Sequence, residues 1–259
     1  MNQPYVRVLG SADWHVTKNN DHSCYTLSDK ALIDACPSVV MQLLNNDIEP
    51  SEVPVIFFTH LHADHYMGLA ALLHNRRVCN FSLKGLTIVG PKATLRAAYE
   101  RAMDYVFCEE PGFFDDPEKL PELVELEGRG TIRVGDWEVE YTDSLHAVPG
   151  LCYRFTDVET GHVACFSGDT DYRPVYAELF READLLFYEC SYGAGPLTGG
   201  GINNHSSAEE AVCACREANV RRLMLTHTYE PKRAAALEVA RAGLSIPVEW
   251  AMPGKVFEF

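Results

Sequence analysis

The stretch FFTHLHADHYMGL, residues 57–69, places three histidines and one aspartate within six positions, directly behind an apolar run. The four residues are His60, His62, Asp64 and His65. Imidazole nitrogens and carboxylate oxygens are ligands that suit a borderline divalent cation such as zinc. The alternative is a solvated loop after a buried strand, in which the histidines cluster by chance. The spacing favours a metal site.

The spacing also divides the cluster between two points. Side chains two apart in an extended segment lie on the same side, so His60 and His62 can bind one ion. Asp64 and His65 fall where the chain turns into the helix predicted for MGLAALLHNRRV, so they face a second point a few ångströms away. Two metal ions roughly 3.5–4 Å apart can share one hydroxide and one bridging carboxylate.

Five predicted strands each end in a histidine or a carboxylate. In α/β proteins the carboxyl ends of strands form the ligand-binding edge, because strands hold side chains rigidly while loops leave access. One such residue would mean little, but five together with the cluster predict a single site. The five are His60 after VPVIFF, His146 after WEVEYTDSL, Asp169 after HVACFSG, Glu189 at the end of DLLFYE and His227 after RRLMLT.

Strands and helices alternate along both halves of the chain, which predicts an α/β protein whose sheets are covered by helices. The run VPVIFF is almost continuously apolar, as is typical of a strand covered on both faces. No repeat or low-complexity linker occurs, so we expect one domain over residues 1–259. Residues 108–130 are acidic and contain three prolines. We interpret them as an insertion or lid-like excursion, with a solvated connection as the alternative.

Charge and cysteine usage restrict the class of protein. The 259 residues include 22 basic and 37 acidic ones, for a formal net charge of −15. Such a surface repels polyanions, so long nucleic acid is disfavoured as a partner and a small-molecule substrate fits better. The nine cysteines are scattered without a C-x-x-C pair, which indicates a reducing, cytoplasmic setting. No segment resembles a signal peptide or a membrane span, so no membrane partner is expected.

The pattern H-x-H-x-D-H over residues 60–65 resembles the signature of the metallo-β-lactamase superfamily. The resemblance covers essentially the whole chain in the family's order, through His146 in SLHAVPG, Asp169 in FSGDT and His227 in LTHT. It implies a four-layer αβ/βα sandwich with metal ions in a groove at one edge.

The resemblance also implies ligands for two divalent ions, zinc in the first place and manganese or iron as alternatives. Such ions lower the pKa of bound water towards neutrality, and Asp64 would also orient or deprotonate that water. The implied ligands are His60, His62 and His146 for the first ion, Asp64, His65 and His227 for the second, and Asp169 as the bridge.

The second half of the chain resembles ribonuclease Z and its smaller phosphodiesterase relatives, in LLFYECSYGAG and NNHSSAEEA. There a glutamate after a strand and a histidine before a helix form a pair near the leaving group, and Glu189 and His205 match those positions. Two departures are modest: Ser207 replaces a threonine, and Cys190 and Ser191 follow the glutamate. Glu189 would keep His205 cationic, so that His205 neutralises a phosphate oxygen and protonates the departing alkoxide.

One element of ribonuclease Z is missing from the sequence. That enzyme has a glycine-rich, basic arm that grips the tRNA elbow, whereas the expected insertion here, residues 108–130, is acidic. The predicted function is therefore hydrolysis of a small phosphodiester, such as a cyclic nucleotide or a cyclic sugar phosphate. The alternatives are a lactonase, thioesterase or arylsulfatase on the same scaffold, ribonuclease Z-type RNA processing, and a non-catalytic binding protein. The sequence is compatible with a homodimer.

Several other polar residues compete for a place in the site. Asp171 is the nearest alternative to Asp169, and His162 lies in a predicted hairpin turn. His15 and His22 belong to the first loop, which the resemblance brings near the rim of the groove. Substrate contact and a solvated loop are the alternatives for both.

Overall fold

The structure is a computed structural model that describes residues 3–108, 116–196 and 204–259. Two mixed β-sheets of seven strands each run through the described residues. The strands are β1 Tyr5–Gly10, β2 Cys24–Leu27, β3 Ala31–Ile33, β4 Val55–Phe57, β5 Thr87–Pro91, β6 Glu122–Leu126, β7 Arg129–Val134, β8 Trp137–Asp143, β9 Leu151–Asp157, β10 Val163–Phe166, β11 Leu185–Glu189, β12 Leu223–Thr226, β13 Val248–Trp250 and β14 Val256–Glu258. Their order is β14-β1-β2-β3-β4-β5-β6 in the first sheet and β13-β12-β11-β10-β9-β8-β7 in the second.

Helices cover the outer face of each sheet. They are α1 Val39–Leu44, α2 Ala63–Tyr66, α3 Leu69–Asn80, α4 Leu95–Val106, α5 Tyr176–Leu179, α6 Ala208–Ala218 and α7 Arg233–Gly243. Helices α1, α3 and α4 pack on the first sheet, and α5, α6 and α7 pack on the second. None of the helices in the described ranges is long and apolar enough to cross a membrane.

The apolar strands bury both of their faces. Ile56 of β4 packs in the cluster beneath the first helices, whereas its neighbours Val55 and Phe57 pack in the cluster between the two sheets. Side chains alternate across a strand, so a strand enclosed in this way must be apolar at every position. The predicted four-layer αβ/βα sandwich is confirmed.

Part of the segment predicted as an acidic excursion, residues 108–130, forms regular structure. Residues 122–126 form β6, the edge strand of the first sheet, which pairs in parallel with β5 from Thr87↔Glu122 to Pro91↔Leu126. The end of the segment begins β7, which pairs with β8. An exposed edge strand keeps polar side chains, which is why ELVEL does not show the apolar pattern of the buried strands. Residues 109–115 of this segment lie outside the described residues.

Two fully buried tyrosines connect the sheets by hydrogen bonds close to the edge that carries the histidines. Tyr153 of β9 donates to the carbonyl of Phe58 at 2.9 Å. The hydroxyls of Tyr25 on β2 and Thr226 on β12 lie 2.5 Å apart. The backbone reinforces this junction, because the N–H of Leu151 donates to the Thr59 carbonyl at 2.7 Å. The residues before the histidines of both sheets are therefore held together.

At the opposite end of the first sheet, Asp29 in the turn between β2 and β3 accepts several hydrogen bonds. Arg7 donates through Nε at 3.1 Å and Nη2 at 2.8 Å, and the hydroxyls of Tyr5 and Thr26 donate at 2.7 and 2.5 Å. Burial raises the pKa of Asp29, but these hydrogen bonds and the charge of Arg7 outweigh it and lower the pKa. The ionised carboxylate therefore stabilises the folded state.

We expect Asp29→Asn to lower the free energy of unfolding by about 1–2 kcal/mol at neutral pH, because charged hydrogen bonds are lost. A lowered native pKa gives stability above the unfolded pKa of about 3.9 that disappears as the pH falls through the native pKa. The difference between variant and wild type should thus shrink below about pH 4. Urea unfolding at several pH values measures it. Asp136→Asn is the control, because it breaks only the exposed ion pair with Lys30 and should change the free energy of unfolding by under about 1 kcal/mol. An equal loss in Asp29→Asn and Asp136→Asn would contradict this interpretation.

Candidate metal centre

The histidine cluster lies between β4 and α2, at the carboxyl edge of the first sheet. His62 has extended backbone immediately before α2, with φ −73° and ψ 152°. Asp64 and His65 lie in the single turn of α2, and α3 begins separately at Leu69. The change from extended to helical backbone turns His60 and His62 towards one point and the next two ligating groups towards another, as the sequence predicts.

Gly68 allows α2 to pack closely against the segment that follows β3. The N–H of Ala35 donates to the carbonyl of His65 at 2.7 Å, and the N–H of Gly68 donates to the carbonyl of Ala35 at 3.0 Å. A Cβ atom at position 68 would lie 2.1 Å from the Cys36 carbonyl oxygen. Only glycine fits there, so this contact fixes the position from which His65 reaches the site.

Four side chains from both sheets form the first group, namely His60, His62, His146 and Asp169. His62 Nδ1 lies 3.1 Å from His60 Nε2 and 3.0 Å from His146 Nε2. Asp169 Oδ2 lies 3.6 Å from His60 Nε2 and 3.9 Å from His146 Nε2. Donors about 2.0–2.2 Å from a tetrahedral ion lie about 3.3–3.6 Å from one another, so the group suits one divalent cation.

Asp64, His65 and His227 form the second group. His227 Nε2 lies 3.1 Å from His65 Nε2 and 3.4 Å from Asp64 Oδ2. Asp169 contacts this group as well, with Oδ1 3.5 Å from His65 Nε2 and Oδ2 3.4 Å from His227 Nε2. One carboxylate therefore contacts both groups, and the structure brings all seven predicted ligands together.

The outer ring nitrogens of the first group show where the imidazole protons lie. The Thr59 hydroxyl donates to Asp34 Oδ2 at 2.8 Å, so its lone pair is left to accept from His60 Nδ1 at 3.2 Å. The Asn204 carbonyl can only accept, so His146 Nδ1 donates to it at 2.9 Å. A neutral ring with a proton on Nδ1 has a lone pair on Nε2. Both Nε2 lone pairs point into the site.

The second group repeats this arrangement. His65 Nδ1 donates to Asp34 Oδ2 at 2.7 Å. The Ser191 hydroxyl donates to the backbone carbonyl of His227 at 2.9 Å and can accept from Nδ1 of the same residue at 2.9 Å. The inward nitrogens of both groups thus face one another, and buried Asp169 Oδ1 has no hydrogen-bond partner among the described residues. A cation satisfies all of these atoms, so the donor set fits divalent metal.

The electrostatics also favour positive charge at this point. Burial opposes protonation of His65, but Asp169 and Asp34 outweigh it and raise the pKa of His65 well above its ordinary value. Burial raises the pKa of Asp169, but the rings of His227 and His65 outweigh it and hold the pKa of this carboxyl well below its usual range. Burial, with the charge of His65, lowers the pKa of His60. The carboxyl groups of Asp169 and Asp34 therefore favour positive charge at this point.

Asp34 is the residue of the site that the sequence analysis missed. Its carboxylate is fully buried and accepts the N–H and the hydroxyl of Thr59, both at 2.8 Å, besides His65 Nδ1. Asp34 follows β3 directly, so it shows the same signal, a carboxylate after an apolar strand, that identified the others. A carboxylate behind a metal-binding histidine fixes its tautomer and raises its basicity.

Glu189 and His205 form the predicted pair beside these groups. His205 Nδ1 lies 2.8 Å from Glu189 Oε1 and 3.8 Å from Asp169 Oδ2. Burial opposes protonation, but the charge of Glu189 and its hydrogen bond outweigh it and raise the pKa of His205 to about 9. Glu189 also accepts the N–H groups of Thr170 at 3.0 Å and Ser191 at 2.9 Å. A fixed carboxylate therefore orients an imidazolium towards the site.

The competing residues lie outside the two groups. Asp171 is not among the clustered donors of the described chain, whereas Asp169 is. His162 lies in the turn after β9, with Nδ1 3.3 Å from Asp184 Oδ2. His22 donates from Nδ1 to the carbonyl of Asp13 at 2.7 Å, which ties it into the first loop.

Comparison with known proteins places the chain in a family. The beta-lactamase superfamily domain matches residues 30–228. Ribonuclease Z of Ligilactobacillus salivarius is 27% identical over 240 residues, which cover 76% of this chain and 75% of that protein. The metallo-beta-lactamase fold protein YhfI of Bacillus subtilis superposes with a TM-score of 0.83 at 21% identity over 100% of both chains. The short form of human tRNase Z superposes with a TM-score of 0.76 at 21% identity over 98% of both chains.

The αβ/βα sandwich and the histidine and aspartate groups at its edge define a metal-binding hydrolase scaffold. The chain belongs to the beta-lactamase superfamily, with the metallo-β-lactamase fold. It is a hydrolase of that superfamily, similar in sequence to ribonuclease Z. The two structural neighbours support the fold.

We expect Asp34→Asn to weaken metal binding about 10–100-fold, because the amide cannot accept hydrogen bonds with both of its ends. Competition with a colorimetric chelator, on protein shown to be folded by circular dichroism, measures the affinity. Asp29→Asn is the matched control, since Asp29 and Asp34 both have positive φ, 51° and 56°, and both accept from several donors. Wild-type affinity in Asp34→Asn would contradict a supporting role for this carboxylate.

Proposed function

We propose that the protein hydrolyses a small phosphodiester with two divalent metal ions, zinc in the first place, held by the two groups of side chains. Manganese and iron accept the same donors. The observation that carries the proposal is the 2.8 Å contact between His205 and Glu189 beside Asp169. Ester and lactone hydrolysis seldom needs a cation opposite the attacked atom, whereas a phosphodiester has a charged oxygen to neutralise and an alkoxide to protonate.

Each predicted ligand keeps its role in this proposal. When bound, the ions supply water of lowered pKa as a nucleophile at neutral pH. His60, His62 and His146 would hold the first ion, Asp64, His65 and His227 would hold the second, and Asp169 would serve both.

Three side chains handle the protons. Burial raises the pKa of Asp64, but His227 and His65 outweigh it and lower the pKa, so the carboxylate is ionised and can orient the nucleophilic water by accepting a hydrogen bond from it. His205 uses Nδ1 for Glu189, which leaves Nε2–H to donate to the leaving oxygen. Glu189 keeps that ring protonated until the bond to phosphorus breaks.

The charge of the chain supports a small substrate. A net charge of −15 opposes a polyanion, and the sequence has no glycine-rich basic arm for tRNA. A cyclic nucleotide or a cyclic sugar phosphate presents one phosphodiester and little further charge, so it meets less repulsion.

Ribonuclease Z-type processing of RNA is the second candidate. The 27% identity to a ribonuclease Z over three quarters of that protein favours it. The two candidates share the site and the chemistry and differ in the size of the substrate. Turnover of a tRNA precursor that exceeds turnover of all small phosphodiesters would replace the first proposal by the second.

We expect His205→Ala to lower kcat for a cyclic ribose phosphodiester roughly 10²–10³-fold, because general acid catalysis is lost. The loss should be smaller for bis(p-nitrophenyl) phosphate, since p-nitrophenolate leaves without a proton. Glu189→Gln should also lower kcat more for the cyclic ribose phosphodiester than for bis(p-nitrophenyl) phosphate. Steady-state kinetics of metal-loaded protein measures both.

His162→Ala is the control for these variants, because His162 lies on the surface hairpin beside Asp184. Its kinetics should equal those of the wild type. Equal activity of His205→Ala and the wild type on the cyclic substrate would contradict the assigned role. Faster turnover of lactones, thioesters or p-nitrophenyl sulfate would favour the other hydrolase classes. A protein that remains inactive after zinc or manganese is added, and that binds less than one metal ion per chain, would be a non-catalytic binding protein.

A further inference from the structure

The first loop, residues 11–23 between β1 and β2, packs against the second group of ligating side chains. The carbonyl of Ser11 accepts the backbone N–H of His227 at 2.9 Å. The side-chain oxygen of buried Asn20 accepts the N–H of Ser11 at 3.0 Å. The loop is therefore tied to the segment that carries a predicted ligand, and side chains at its tip have a defined position beside the site.

Three rings pack against one another in tilted contacts and form a short stack where this loop meets the segment after β12. The ring centroids of Trp14 and His15 are 3.7 Å apart with planes inclined by 36°, and those of His15 and Tyr229 are 4.4 Å apart with planes inclined by 38°. Asp13 fixes the middle of this stack by accepting the N–H of His15 at 2.8 Å. Tyr229 is two residues beyond His227, so the segment that carries a predicted metal ligand also carries one ring of the stack.

Trp14 ends the stack with its ring open to solvent. Its exposed fraction is 72%, whereas the other two tryptophans, Trp137 and Trp250, are 2% and 5% exposed. Because the His15 ring packs against Trp14, the indole is supported on one side while most of it stays accessible to solvent. An aromatic side chain held in this way is a stacking platform for a base, which contributes about 1–3 kcal/mol in proteins that bind single strands.

We propose that Trp14, supported by His15 and Tyr229, stacks on the planar base of a nucleotide whose phosphodiester is hydrolysed at the metal centre. The location of the phosphodiester rests on the proposed function, but the stacking contact does not. The negative net charge favours a single nucleotide over a long strand, because each added phosphate adds repulsion. Trp14 therefore determines specificity for a substrate that carries a base.

Tryptophan fluorescence tests the contact without any turnover. Trp14 is the exposed fluorophore, so its emission is red-shifted and open to quenching, in contrast to that of the two buried tryptophans. Adenosine 5′-monophosphate added to metal-loaded protein should quench this emission, and ribose 5-phosphate should not. The quenching should disappear in Trp14→Ala. Quenching that survives in Trp14→Ala, or that ribose 5-phosphate produces equally, would overturn the proposal.

Kinetics tests the consequence for specificity. Trp14→Ala should raise KM for 2′,3′-cyclic AMP about tenfold with little change in kcat, and it should leave KM for the base-free methyl riboside 2′,3′-cyclic phosphate unchanged. Trp14→Phe should restore most of the loss. Tyr105→Ala, which removes an 82% exposed ring from the distant helix α4, is the control and should match the wild type with both compounds.

The outcomes separate this inference from the proposed function. If the wild type hydrolyses neither cyclic compound but shows the Trp14-dependent quenching, the phosphodiesterase proposal fails and the stacking site stands. If both compounds are hydrolysed and Trp14→Ala affects them equally, the stacking site fails. A change of oligomeric state in Trp14→Ala, without nucleotide quenching in the wild type, would assign the ring to a contact between chains and would also overturn the proposal.

Discussion

Compensation of buried charge is the constraint on which the site depends. Asp169 is enclosed by imidazole rings from both groups, with both oxygens within 3.6 Å of a histidine Nε2. The outer nitrogens of these rings are already bound to oxygen atoms, so their protons point away from the carboxylate. An uncompensated charge in such surroundings would be costly. Cations at the centre would compensate these charges, which would link metal affinity to stability.

The two sheets hold this arrangement by short backbone connections and by unusual backbone angles. Asp34 and His227 have φ of 56° and 54°, in the left-handed region, which costs free energy that the surrounding contacts must offset. Gly168, with φ 56°, brings the chain so close to Thr59 that a Cβ atom would lie 2.7 Å from Cβ of that residue. The buried hydroxyls of Tyr25 and Tyr153 keep the sheets in register beside these positions.

The chemistry of the site divides between its floor and its rim. The floor holds imidazole rings and ionised carboxylates whose donor atoms suit cations, with the imidazolium of His205 at its side. The loop that is hydrogen-bonded to the backbone of His227 carries the exposed ring of Trp14, which we assign to the rim. In the proposed function, the negative surface would disfavour long polyanions, while a cationic centre would attract a single phosphate. Size and shape of the substrate would then be selected by different parts of the protein.

The local pattern was sufficient for much of this description. Residues 60–65 determine their own geometry, because the alternation of an extended segment and the turn into a helix follow from nearest neighbours along the chain. The alternation of strands and helices predicts sheets covered by helices, and the polar residues at the strand ends predict the shared edge. The resemblance to the metallo-β-lactamase superfamily added the four-layer sandwich. The short strand β6 was missed because an exposed edge strand keeps polar side chains and lacks an apolar pattern.

Only the tertiary structure shows which of the distant residues touch. Asp34 meets His65 across 31 positions, Ser191 meets His227 across 36, and the stack of Trp14 and His15 is completed by Tyr229 from the other end of the chain. Such contacts depend on the packing of two sheets and on turns of single residues, which local propensity does not encode. The sequence by itself therefore determined which side chains could bind metal, and the folded structure decided which protons, carboxylates and rings support them.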